Sequence, residues 1–152
     1  MSEVYSKIAE AIKLRLQNVS GIGVIHTYPR AARSDKELQE YYVPSGSKKI
    51  NAVEIARVKI DSNWSTNQQI EDVHHYKLIL WYSWDDKNKS YVEFQHLIDR
   101  IRAEFNHTPV LQVEDKEMYI YKPIPAPNII ADERAGILLH YAELDLFITN
   151  WR

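Results

Sequence analysis

HYKLILWYSW, residues 75–84, passes through the acidic turn DDKNK (85–89) into SYVEFQHLIDRIRAEF (90–105), and the rest of the chain is read from this strand–turn–helix unit. Leu78, Ile79, Leu80 and Trp81 are apolar without alternation, the pattern of an inner strand covered on both faces. The chain's own helices are expected to supply one cover and a neighbouring subunit the other. In the helix, Phe94, Leu97, Ile98, Ile101 and Phe105 recur at i, i+3, i+4, i+7 and i+11, which makes a single buried stripe. Ser90-Tyr91-Val92-Glu93 has capping-box spacing, in which a Ser at the N-cap and a Glu three residues on satisfy two orphan backbone donors. The unit holds no nucleophile–base pair, phosphate loop or metal-ligand spacing, so it reads as built to pack rather than to react.

Toward the N-terminus, Val4, Ile8, Ala11, Ile12 and Leu16 predict a helix over 2–18. Clustered β-branched residues predict a short strand over 22–27. Ser34-Asp35-Lys36-Glu37 repeats the capping-box pattern and opens a short helix that Pro44-Ser45-Gly46-Ser47 ends. Residues 50–60 alternate as a half-buried strand. The polar stretch 62–72 is expected as a loop or loose hairpin crossing, with Trp64 its one large apolar residue.

Toward the C-terminus, Val110–Val113 and Met118–Tyr121 flank an acidic turn and predict a hairpin. Pro123, Pro125 and Pro127 impose an extended loop through 129–136. Leu138, His140, Ala142, Leu144, Leu146 and Ile148 share one face of a long closing strand over 137–151. There is no regular βαβ alternation, no internal repeat and no Gly/Ser-rich linker. The expectation is one α+β domain over 1–152: a mostly antiparallel sheet with two main helices packed on one face, plus a short helix and an extra hairpin.

At 152 residues the chain has the length of one domain and can bury about two-thirds of its unfolded surface. Lys plus Arg (19) nearly balance Asp plus Glu (21), so no net field favours nucleic acid or anionic lipid. The absence of cysteine excludes disulfides, thiolate nucleophiles and Cys-based metal sites. The first residues carry charges every few positions, unlike a secretory signal or membrane anchor, and cytoplasmic synthesis is expected.

Several constellations fail on context. His74 and His75 are adjacent on a strand and point to opposite faces, so they cannot easily share a zinc ion with His26 or His140. His74 reads as an ordinary polar position, and His75 or His140 as a hydrogen-bonded, partly buried ring. No Ser sits in a Gly-x-Ser-x-Gly elbow. Gly21-Ile22-Gly23 precedes a strand and lacks a third glycine, so it is not a dinucleotide fingerprint. Asp85-Asp86-Lys87 and Glu114-Asp115-Lys116 resemble metal-nuclease fragments but are ordinary hairpin tips. Arg30 and Arg33 beside Tyr28, Tyr41 and Tyr42 suit either base stacking or a protein interface, and the near-zero net charge favours protein.

Gly23–Arg30, the short helix, Ile50–Ile55, His75–Leu80 leading to Asp85-Asp86, the 90–105 helix and the closing Leu139–Leu146 together resemble the tail terminator (tail completion or minor tail) proteins of tailed bacteriophages. The likeness covers Ile8 to Phe147 and departs from the family at the hairpin and proline loop over 110–136. The resemblance implies a structural virion protein, not an enzyme and without a cofactor, located in the virion tail after assembly in the host cytoplasm. Such a protein caps the tail tube as a homo-oligomeric ring, a hexamer if it follows the tube's symmetry. Its partners would be copies of itself, the tail tube protein and the head–tail connector or neck, with DNA only passing through the lumen and no membrane contact. The expected interface residues are Tyr28, Arg30, Arg33, Tyr41 and Tyr42 in the arm, Trp64 in its polar loop, and Asp85, Asp86 and Lys87 at the turn. Two readings compete: a head–tail connector or neck protein, and a small α+β ligand-binding protein or metal-dependent enzyme.

Overall fold

Residues 4–152 are described by a computed structural model; the expected first turn at residues 2 and 3 lies outside the described residues. In chain order the elements are α1 (Val4–Leu16), β1 (Val24–His26), α2 (Asp35–Tyr42), β2 (Asn51–Thr66), β3 (Gln69–Ser83), α3 (Ser90–His107), β4 (Val110–Val113), β5 (Lys116–Ile120), β6 (Ile129–Arg134) and β7 (Ile137–Trp151). The fold is α+β around one mixed sheet of seven strands. β1 and β2 pair in parallel, whereas β2–β3, β3–β7, β4–β5, β5–β7 and β6–β7 are antiparallel. The path runs β1-β2-β3-β7-β5-β4, with β6 also on β7.

Side-chain alternation separates two cores. Val53, Ile55, Tyr76, Leu78, Leu80, Leu144, Leu146 and Ile148 meet Ile8, Ile12 and Leu16 of α1 and Phe94, Leu97, Ile101 and Phe105 of α3. The intervening residues Ala52, Trp81 and Leu139 project the other way and meet Ala32, Leu38 and Tyr42 of the segment that carries α2. The apolar run of β3 is therefore covered on its second face by the chain's own arm at the Trp81 end. At the other end of that face His75, Lys77, Glu143 and Asp145 form a half-exposed ionic ladder.

Three expectations are corrected. Residues 62–72 are not a loop: Ser62↔Asp72, Asn63↔Glu71 and Trp64↔Ile70 are paired strand positions of a long hairpin. Beyond Arg57 every residue of β2 is exposed, so backbone pairing holds it and no alternation of hydrophobicity marks it. Residues 129–134 are strand, because the prolines end at Pro127 and Ala135-Gly136, with φ of 52° and 80°, make the tight turn that reverses β6 into β7. Ser90 is not an N-cap. Lys89, left-handed at φ 54°, takes that position without a side-chain cap, and Ser90 is the first helical residue. The other capping site forms by half, with Glu37 N donating to Ser34 Oγ at 3.2 Å.

Gly23 marks a close approach. A Cβ there would lie 1.9 Å from the Asn51 carbonyl oxygen, and that oxygen belongs to backbone that cannot step aside. Gly23→Ala is therefore expected to displace β1 from β2 and lower stability by about 1–3 kcal/mol, the range for overpacking. An unchanged urea midpoint would contradict this.

Candidate functional site

The arm forms where β1 hands the chain across the sheet edge. His26 Nε2 lies 2.6 Å from Tyr41 O, which ties the strand to the helix after it. The Arg30 guanidinium sits 4.1 Å from the Tyr41 ring centroid and 5.3 Å from that of Tyr28. This places cation–π contacts on an accessible surface. Through these contacts the structure brings Tyr28, Arg30 and Tyr41 together, and Tyr28 and Arg33 are exposed.

Tyr42 is not part of that surface. It is fully buried, with its hydroxyl donating to Arg30 O at 3.0 Å and to Glu54 Oε2 at 2.9 Å. Glu54, 2% exposed, also accepts from Trp81 Nε1 at 2.9 Å and Arg30 N at 2.5 Å, and Arg134 Nη1 lies 3.5 Å away. Arg134 stacks over Tyr42 and Trp81. Burial, then the Glu54 carboxylate, pushes the Tyr42 hydroxyl pKa well above its ordinary value. The cluster clamps the arm; Glu54 and Arg134 were not legible in the sequence, because neither lies in a motif and their meeting depends on sheet order.

Asp85 and Asp86 mostly serve the local turn. Asp85 pairs with Lys49 and accepts from Asn88 Nδ2 at 2.7 Å, and the Lys49 ammonium, then Asn88, hold its carboxyl down to about 2. Asp86 accepts from Trp84 Nε1 at 2.9 Å. Lys87 is exposed. Trp64, on β2 rather than in a loop, is 71% exposed, the most of any large apolar side chain among the described residues.

One pair was missed. Ser90 Oγ lies 2.8 Å from His140 Nε2, which resembles a nucleophile and its base. The surroundings assign it differently. Ser90 Oγ accepts from Asp85 N at 2.8 Å, both residues are buried, and Trp84 stacks on the imidazole with centroids 4.0 Å apart. Among the described residues no carboxylate hydrogen-bonds the second ring nitrogen, as a triad would require. The pair joins the start of α3 to β7. His74 is buried rather than an ordinary polar position, with Nε2 on Asn150 Oδ1 at 2.8 Å and Nδ1 unpartnered. His75, on the opposite face, bonds Asp145 at 2.9 Å. Among the described residues no group of three His, Asp or Glu converges as metal ligands.

These environments set a pH dependence. Burial lowers the pKa of His140, with Asp86 acting in the opposite sense. Burial also lowers that of His74 against the Asn150 hydrogen bond, and Arg57 adds to the lowering. The Lys77 ammonium lowers Glu143; Asp145 and Asp72 are lowered despite burial, by His75 and Lys77 and by Ser62 and Arg152 respectively. In every case the unfolded chain takes up protons at higher pH than the folded one, so stability falls with acidification. The urea midpoint is expected to drop first below about pH 6.5, through the histidines, and again below about pH 4, through the carboxylates. Equal midpoints at pH 7.5 and 5.5 would contradict the histidine part.

Neither a protein-family model nor a curated protein matches the chain. No helix among the described residues is long and apolar enough to cross a membrane.

Proposed function

We propose that the protein is a structural component of a phage tail, a terminator that closes the tail tube as a homo-oligomeric ring and offers its other face to the neck. The observation that carries this reading is the outer edge of β2. β1 covers it only at Ala52–Glu54, and from Arg57 to Thr66 it has no strand partner among the described residues while presenting exposed Val58, Ile60 and Trp64. A long free edge with apolar side chains is an aggregation hazard in a monomer and a natural seat for another chain. An antiparallel-dominated sheet with α1 and α3 sharing one face, and an arm presenting stacked Tyr and Arg, suits contact on several sides. The Asp85–Lys87 turn contributes rim polarity. Recognition rests on shape and on paired edges, so no reactive centre is required.

The test is to add purified protein to polymerising tail tube protein. Ring particles by electron microscopy and tubes shortened in proportion to added protein are expected. Tubes of unchanged length, or turnover of a small molecule lost on changing one histidine or acid, would overturn the reading. Binding to the neck complex without any effect on tubes would favour the connector reading.

A further inference from the structure

The sheet has a second free edge that matches the first. β6 has β7 on one side and no strand on the other among the described residues. Because β2–β3, β3–β7 and β6–β7 are each antiparallel, β2 and β6 run in opposite directions. Two copies set side by side head to tail, helices on the same side, therefore bring β6 of one against β2 of the next as antiparallel neighbours.

Side-chain parity and charge then select a register. Ile60 pairs with buried His74 and so projects to the helix side, while Lys59 pairs with His75 and projects to the open side. The irregularity between Arg57 and Lys59 returns Arg57, opposite Tyr76, to the helix side. On β6, Ala131 and Glu133 pair with His140 and Leu138 on the helix side, and Asp132 pairs with Leu139 on the other. Resting on the ring reading, we propose that the outer edge of β2 is occupied by β6 of a second copy with Ile60 opposite Ala131. Lys59 then faces the next copy's Asp132 on one side of the joined sheet, and Arg57 faces its Glu133 on the other. A shift of two residues one way sets Asp61 against Asp132, like charges that disfavour it; a shift the other way sets Lys59 against Ile130. Asp132 accepts from Glu133 N at 2.8 Å through one oxygen, which leaves the second for Lys59, and Lys59 exchanges its exposed contact with Asp61 for the new one.

The register also fixes a displacement. Ala131 lies level with His140, Tyr82 and Asn51 across the sheet, so pairing it with Ile60 offsets neighbouring copies along the strands. The offset is about eight strand steps, on the order of 27 Å. A head-to-tail contact closes into a ring if the strands incline to the axis and winds into a filament if they do not.

The chain has no cysteine, so Lys59→Cys with Asp132→Cys gives a clean probe. Within one chain the two positions lie three strand spacings apart across the sheet, about 14 Å, and about eight strand steps apart along it, about 27 Å, too far for a disulfide. On mild oxidation the double variant is expected to give a ladder of dimers, trimers and higher species in denaturing gels, while each single variant gives none. Charge exchange, Lys59→Asp with Asp132→Lys, is expected to restore assembly that either change alone weakens at least tenfold by light scattering. Rings that form in every variant, without a ladder, would overturn the edge contact and leave the ring reading standing. A ladder whose particles are filaments would keep the edge contact and sink the ring. A dimer from Lys59→Cys alone would replace it by a two-fold β2–β2 contact, and a monomer at all concentrations without cross-links would overturn both.

Discussion

Glu54→Ala is expected to lower stability by about 3–5 kcal/mol, the loss typical when one partner of a buried charge cluster is removed. The carboxylate is 2% exposed and receives Trp81 Nε1, Tyr42 OH and Arg30 N, with Arg134 beside it. Its removal leaves Trp81 Nε1 and Arg30 N without an acceptor and Tyr42 OH and Arg134 with only Arg30 O to share, and each orphaned group carries its full desolvation cost. Against a total of roughly 5–15 kcal/mol for a domain, this is a large share. Urea unfolding gives the magnitude, and amide exchange gives the place: residues 30–42 should lose protection before the α1–α3 core does. Glu54→Gln should cost less, since it keeps an acceptor for Trp81. A loss below about 1 kcal/mol for the alanine variant would show that the arm is held by Ala32, Leu38 and Tyr42 packing instead.

Phe105→Ala is expected to cost a similar 3–5 kcal/mol, for a different reason. Phe105 is fully buried, with the Arg15 guanidinium 5.1 Å from its ring centroid, and α1, α3 and the sheet meet around it. Deleting the ring removes its transfer energy and leaves a cavity that packed helices only partly close. Trp64→Ala deletes a larger side chain, yet it should change stability by no more than about 0.5 kcal/mol because 71% of the residue is already in water. On the ring reading proposed above, its effect should fall on assembly. If Trp64→Ala destabilised the isolated chain as Phe105→Ala does, the hairpin tip would be part of the fold rather than a docking surface.

Elements with a buried face were legible where that face left a period in the sequence. The stripe Phe94, Leu97, Ile98, Ile101, Phe105 is buried along its whole length, and β7 spans the expected 137–151, although Leu138 at its start is exposed. The short helix formed where Ser34 and Glu37 called for it. The outer halves of β2 and β6 were not legible, because both faces are wet there and the ladder forms from backbone groups that every residue carries. Ser90 misled for a related reason. A Ser three residues before a Glu is a cap only if the chain enters the helix at that residue, and here the left-handed Lys89 takes the entry while Ser90 turns inward to His140.

Of the residues expected at an interface, Tyr28, Arg30 and Trp64 do face solvent wholly or in part, whereas Tyr42 lies in the core. Sequence alone determined the class of fold, the two long helices and the apolar strands, since burial of one face is a local periodic property written into neighbouring residues. Only the tertiary structure decided that Glu54 meets Trp81, Tyr42 and Arg134, that Ser90 meets His140, and that β6 and the part of β2 beyond β1 run in opposite directions with one edge unpaired among the described residues. Those contacts join residues far apart in the chain, and they follow from strand order and register, which no local pattern of side chains encodes.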